Sequence, residues 1–317
     1  MSHAAAQAIF LDQVTRAPRL PSPGSGATLE RWRSLAQLAS HNMAACKLAE
    51  AHWDAMAILE DLGRTDLHLR DSTWGVWASE HPVHKAVLQT DGDQAFLHGK
   101  KLWCTGADCV THALLTCSDA DGDTWFVAVP MSAPGITLQP QDWYAQGMRH
   151  SPTYEATFDH TPVTVLGQRS IYLQRPGFWH GGAGIAACWY GATAQVAQLL
   201  RDKLDIAQLH ASAHLGAIFT RLSAARALLQ SLAQTIDAQP HLPHTSQVQA
   251  VRALVRDTAT EVMDRCARAL GPGPLCMHAD HAQRCADLSV WITQQHAEKD
   301  LEALGRSVQQ EELVLTL

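Results

Sequence analysis

Gly99-Lys100-Lys101-Leu102-Trp103-Cys104-Thr105-Gly106-Ala107 reads as a β-strand that closes on a glycine turn. Trp and Thr suit a half-buried pleated surface. Residues two apart along a strand share a face, so Trp103 and Thr105 project together while Cys104 points the other way. Short apolar runs of the same kind recur on either side, at 85–90, 95–104, 113–117, 125–130 and 154–158. Asp91-Gly92-Asp93 and Asp121-Gly122-Asp123 lie between such runs, where Asp-Gly supplies the positive φ of a tight hairpin. Strands at this spacing, from about Thr73 to Gln168, predict a small β-barrel or sandwich.

The flanks follow a different period. From Ala4 to about Leu69, the positions Leu35, Leu38, Ala39, Met43, Cys46 and Ala49 advance in steps of three and four, which puts them on one helical face. Pro18 to Gly26 interrupts this stretch as a loop. Beyond Phe178 the pattern is helical throughout, with helices expected at about 183–204, 207–237, 245–270 and 279–304. Pro240-His241-Leu242-Pro243 and Gly271-Pro272-Gly273-Pro274 punctuate them, and long amphipathic helices with short connections predict a four-helix bundle. The expected fold class is α+β, with an N-terminal helical region (1–72), a middle β-domain (73–170) and a C-terminal bundle (171–317).

Composition narrows the function classes. Of the 317 residues 46% are hydrophobic and 17% charged, as in a well-buried globular chain. A net charge of -7 without a basic run argues against nucleic acid, whose phosphates need clustered Lys and Arg. No apolar stretch reaches the length of a bilayer span, the N-terminus lacks a signal-peptide layout, and the eight cysteines show no disulfide framework. A cytoplasmic protein is expected. His210 and His214 stand one helical turn apart, but no third ligand accompanies them, so no metal site is expected. The pairs His81/His84, His241/His244 and His278/His281 read as incidental among 18 histidines.

The order of helices, β-domain and bundle resembles the acyl-CoA dehydrogenase superfamily, and three motifs carry the resemblance over roughly residues 70 to 305. Gly99–Ala107 is similar to the family's "GxKxWxT" strand. Gly147-Met148-Arg149-His150-Ser151-Pro152-Thr153 with Phe158-Asp159-His160-Thr161-Pro162-Val163 is similar to its "lGmrgSdt…f…v.VP" stretch. Arg284-Cys285-Ala286-Asp287 resembles its "R..D" signature in the closing helix. The resemblance implies an oxidoreductase and flavoprotein holding FAD, with Trp103 and Thr105 against the flavin. Ala78 and Ser79, in the place of the "xTEp" strand, would meet its pyrimidine end. It also implies an acyl thioester or acyl-carrier substrate and a homodimer or homotetramer.

The same comparison marks departures. Where the family holds the cofactor's pyrophosphate with Gly-Ser-Asp, this chain has His81-Pro82-Val83-His84-Lys85-Ala86, in which Lys85 can serve as a point charge. The family's catalytic Glu, eight residues past the signature Asp, falls on Gln295, which is no base. His180 and His296 are the nearest groups able to take a proton at neutral pH. The "RxxFG" motif is absent, Arg201-Asp202-Lys203-Leu204 standing nearby. Three readings are therefore carried: an acyl thioester oxidoreductase with altered base usage, a flavin oxidase or monooxygenase on the same scaffold, and a non-catalytic homologue serving in binding or assembly.

Overall fold

The computed structural model describes residues 2–205 and 207–310; the end of the expected bundle, 311–317, lies outside the described residues. In chain order the chain forms α1 (His3–Arg16), α2 (Thr28–His41), α3 (Met43–Asp61), β1 (Trp74–Trp77), β2 (Ala86–Asp91), β3 (Gln94–Thr105), β4 (His112–Ser118), β5 (Thr124–Pro130), β6 (Ile136–Pro140), β7 (Thr153–Pro162) and β8 (Thr164–Val165). After them come α4 (Ile171–Gln174), α5 (Pro176–Lys203), α6 (Leu209–Ala238), α7 (Thr245–Leu270), α8 (Gly273–Met277), α9 (Ala279–Trp291) and α10 (Glu298–Gln310). It is an α+β fold with a central β-domain. No helix among the described residues is long and apolar enough to cross a membrane.

Two compact units form. One holds the chain up to Leu20 with Lys47–Tyr144 and His150–Phe178; the other holds Pro21–Cys46, Ala145–Arg149 and the chain from Trp179 onward. The first unit therefore combines α1 and most of α3 with the strands, and the second combines α2 with the long C-terminal helices.

In the first unit the strands join in one hydrogen-bonded sheet of order β6-β7-β3-β2-β4-β5-β8, with β1 parallel to β4. Both Asp-Gly turns close hairpins as the sequence suggests. Gly92 (φ 58°) joins β2 to β3, and Gly122 (φ 85°) joins β4 to β5. The interior of β4, Ala113 to Cys117, is buried throughout, as fits a strand covered on both faces. Ala55, Ile58 and Leu59 of α3 pack on Trp74, Leu114, Phe126, Leu166 and Tyr172. Each large apolar side chain so buried contributes about 1.5–3 kcal/mol.

The β3–β7 ladder shifts register between Lys101 and Cys104. Lys101 faces Ala156 and Cys104 faces Tyr154, so Leu102 and Trp103 together oppose Glu155. This is a β-bulge, and Trp103 sits in it at φ 59°.

In the second unit, glycines on α5 let α2 approach closely. A Cβ at Gly191 would lie 2.0 Å from the Ala36 carbonyl oxygen, and Gly184 faces Leu35 and Trp32. The helix expected over 183–204 begins earlier, at Pro176, since proline's fixed φ suits a first turn. The single helix expected over 279–304 is broken. After α9 come a 3-10 turn at Ile292–Gln294, an extended Gln295, and Ala297 at φ 40° before α10. Side chains make the break: Thr293 Oγ1 donates to the Val290 carbonyl (2.6 Å) and Trp291 Nε1 to Gln294 Oε1 (2.9 Å). The Asp300 carboxylate accepts the His296 N–H at 3.0 Å and starts α10.

One contact in the first unit has a pH consequence. His52 of α3 donates Nε2–H to the Pro18 carbonyl (3.1 Å), beside Trp53, whose Nε1 donates to Ala17 (2.7 Å). His52 Nδ1 is buried without a partner, and burial lowers the imidazole from 6.5 to about 4. The unfolded chain therefore takes up this proton first as the pH falls. Stability from the neutral ring is complete above pH 6.5 and is lost as the pH drops toward 4. Urea unfolding followed stepwise through that window is expected to show a decline of about 3 kcal/mol from this residue. His52→Gln should remove that part of the slope, and an unchanged slope would refute the assignment.

Candidate functional site

The β-domain's candidate residues are held by an ion pair that the sequence does not advertise. Lys101 Nζ, with a side chain only 2% exposed, bonds Glu80 Oε1 (2.6 Å), the Thr116 carbonyl (2.8 Å) and Thr116 Oγ1 (2.9 Å). Thr116 Oγ1 also donates to Glu80 Oε1. Burial pulls the Lys101 ammonium below the ordinary lysine range, and Glu80 opposes that shift. The pair ties β3 and β4 to the segment leaving β1, which carries Ala78 and Ser79. Ala78 is half-buried against the α3-facing core, and Ser79 is exposed.

The bulge then decides which way Trp103 faces. Lys101 points inward; strict alternation would carry Trp103 and Thr105 inward with it. The extra residue restores Cys104 to the interior at 0% exposure and turns Trp103 out at 43%. Backbone contacts fix this geometry: Trp103 N–H donates to Gln141 Oε1 (3.1 Å), and Trp77 Nε1 donates to the Thr105 carbonyl (3.1 Å). Burial pushes the Cys104 and Cys117 thiols up to about 12, so neither supplies a thiolate here.

Beside the Trp103 indole lies His81 (ring centroids 5.5 Å apart), itself stacked on His84 at 5.0 Å. His81 Nδ1 accepts the N–H groups of Val83 (3.2 Å) and His84 (3.1 Å), which fixes the proton of a neutral ring on Nε2. The His81/His84 pair, incidental by its spacing, is in fact part of an exposed aromatic shelf. The shelf offers a planar heteroaromatic a stacking face, and the Ser79 and Thr105 hydroxyls, which bond no described residue, offer its edge polar groups. These residues fit a flavin ring.

The helical unit carries the other candidates. His180 is 2% exposed; its Nε2 donates to the Leu242 carbonyl (2.9 Å) and its ring stacks on His244 at 5.9 Å. His296, by contrast, is 73% exposed at the start of α10. Gln295, between α9 and α10, is 4% exposed with Oε1 unpartnered. Arg252 of α7 binds the backbone on either side, Nη1 to the Gly182 carbonyl (2.6 Å) and Nη2 to that of Gln294 (3.5 Å), over the Trp189 ring. Sequence reading missed Arg252 and Gln141 and gave no role to Lys101, although Lys101 stands at the Lys of the "GxKxWxT" strand; the i, i+3 spacing of His81 and His84 was also visible.

Two motifs that are far apart in sequence interlock here. The Asp287 carboxylate accepts the Met148 N–H (2.6 Å) and a Gln283 amide hydrogen (2.7 Å), while Gln283 also donates to the Gln146 carbonyl (2.9 Å). Gly147 passes so near α9 that a Cβ would lie 2.1 Å from the Ala286 carbonyl oxygen. Arg284, whose pKa burial lowers, donates to the Ser40 carbonyl at the end of α2 (3.3 Å). Among the described residues the Asp119, Asp121 and Asp123 carboxylates also gather within 4.8 Å. Asp119 there accepts the Asp121 and Asp123 N–H groups and Trp125 Nε1, which accounts for it as a turn device.

Gln295→Glu tests the buried amide. A carboxylate without a donor in this position has its pKa raised above the usual value of about 4.3, so the folded state holds its proton and stability falls as the pH rises. The variant should match wild type near pH 4 and lose about 1–3 kcal/mol by neutral pH. Urea unfolding at the two pH values reads this, and an equal loss at both would contradict it.

No family model matches this chain. A curated relative, L-evernosamine nitrososynthase of a Micromonospora species, is 32% identical over 123 residues. That match covers 36% of this chain and only 29% of the relative's length. Among solved structures, KijD3 in complex with FMN and dTDP-3-amino-2,3,6-trideoxy-4-keto-3-methyl-D-glucose superposes at a TM-score of 0.77 and 17% identity, over 90% of this chain and 80% of that one. Butyryl-CoA dehydrogenase of Megasphaera elsdenii superposes at 0.78 and 16% identity, over 89% of this chain and 82% of its own. On the strength of its strand order, its helices and these superpositions, the chain has the acyl-CoA dehydrogenase fold.

Proposed function

We propose that the chain is a flavin-dependent monooxygenase acting on a small-molecule amine, with FMN rather than the FAD implied by family resemblance. The observation that carries this reading is Gln295. Dehydrogenation of an acyl thioester needs a base at the α-carbon. The position where the resemblance puts that base holds a carboxamide, which takes up no proton in the neutral range. Oxygenation has no such requirement: reduced FMN, when bound, would supply the two electrons and two protons with which dioxygen gives one oxygen atom to the substrate and releases the other as water. The nitrososynthase likeness supports this direction.

The chain's own residues would bind and shield the ring. Trp103 presents its indole to one face, and Ser79 and the Thr105 hydroxyl meet the polar edge. The Val83 and His84 N–H groups, which could otherwise cradle a second phosphate, are spent on His81 Nδ1. This favours the mononucleotide, with Lys85 as the remaining point charge. A homodimer or homotetramer is part of the proposal, since Leu209 (79% exposed) and Phe219 (68%) leave α6 with an uncovered apolar edge.

Fluorescence titration tests the cofactor. FMN should bind more tightly than FAD, and Trp103→Ala should weaken FMN about ten-fold or more through loss of stacking worth roughly 1–3 kcal/mol. Reduced FMN with amine substrates should consume oxygen. Efficient acyl-CoA turnover with a dye acceptor would return the acyl thioester reading, and absence of flavin binding would leave the non-catalytic one.

Light scattering tests the assembly. It should give a mass that is a multiple of 34.6 kDa; a monomer throughout the micromolar range would overturn that part.

A further inference from the structure

Within the helical unit, α2, α5 and α6 enclose a cleft of ≈ 140 Å³ whose residues are none of those discussed above as flavin or base candidates. Leu29 and Ala36 of α2, Ala187 of α5 and Leu229 of α6 give it apolar walls, and the Trp32 indole completes them. Its rim is cationic. Arg33 and Arg226 are both exposed, and neither has an ion pair or hydrogen bond to any described residue. Tyr190, half-buried, stands close enough to Arg226 for the guanidinium to favour its ionised form, against a burial that pushes the phenol up.

Trp32 adds an independent sign. It is 2% exposed, yet its Nε1–H has no acceptor among the described residues. A buried indole N–H usually finds a partner. An apolar hollow with two uncommitted guanidiniums at its mouth is complementary to an apolar body ending in a carboxylate, because planar forks of N–H donors match carboxylate oxygens in pairs. Phosphorylated sugars and nucleotides fit poorly, since their polar bodies would lie on Leu29, Ala187 and Leu229.

We propose that this cleft binds a small amphipathic carboxylate, its tail between α2, α5 and α6 and its head group between Arg33 and Arg226. The site is separate in its residues from the flavin assignment, so it stands whether or not that assignment holds.

Isothermal titration of the purified full chain with sodium octanoate is the test, with octanol as the uncharged control. Saturable binding of one octanoate per chain is expected, and octanol should bind at least about ten-fold more weakly, because charge-assisted hydrogen bonds are the stronger class. The double variant Arg33→Gln/Arg226→Gln changes only exposed side chains, so it should keep the wild-type melting temperature and lose octanoate affinity about ten-fold or more. Ala187→Phe should block the cleft, and if it fails to fold the arginine variant alone decides. Octanol binding as well as octanoate, an unchanged affinity in the double variant, or no saturable binding would each overturn the proposal.

Discussion

A lysine ammonium inside a β-domain is tolerable only where acceptors surround it, since an unpaired buried charge costs several kcal/mol. Lys101 meets that condition with Glu80 and Thr116, and in doing so it orders the whole candidate face. The acceptors come from two other segments, so β3, β4 and the chain after β1 are tied to a single point. Glu80 directly follows Ser79, and Trp103 follows Lys101 by two residues. Removing the ammonium would leave the Glu80 carboxylate and the Thr116 oxygens to water and free both site-bearing segments at once. The pair is better understood as a device of registry than as a source of net stability.

The helical unit has a comparable fastener. Asp287 accepts a backbone N–H from the five-residue stretch Ala145–Arg149, and Gly147 lets that stretch touch the Ala286 backbone. A side chain at position 147 has no room. The "Gly-Met-Arg" and "R..D" motifs, which look like separate signatures, are thus two halves of one contact. Their spacing in sequence says nothing about this; only the close approach of α9 explains why one is a glycine and the other a carboxylate.

Much of the architecture was legible because local chemistry and tertiary demand agree. The Asp-Gly turns closed the hairpins they suggested, and the apolar period of the long helices set their span. The two-residue repeat of a strand suggested one face for Trp103 and Thr105. Which face it was did not follow, because a bulge between Lys101 and Cys104 cannot be seen in a run of good strand formers. Lys101 stands in the "GxKxWxT" match, but nothing in that run says it is interior; only its neighbours in space make it so. The break after α9 was hidden for a similar reason. Gln294, Gln295 and His296 are acceptable in a helix, and what ends it is the side-chain bonding of Thr293, Trp291 and Asp300.

That break bears on the chemistry. Had α9 continued, Gln295 would have been placed by helical phase alone; instead the residue is extended and buried, with Arg252 gripping the carbonyl of its neighbour Gln294 and that of Gly182 on α5. A guanidinium that already neutralises backbone dipoles leaves the region short of negative charge. A carboxylate at 295 would still have to give up its hydration with no donor bonded to the oxygen that is orphaned in the amide. The amide is therefore the form that burial permits there, since it stays neutral at every working pH and loses only one hydrogen bond. A carboxamide at 295 takes up no proton in the neutral range, so this position supplies no base for a substrate's carbon. On the proposed function, this is a condition that amine oxygenation tolerates and that dehydrogenation relying on a base at this position does not.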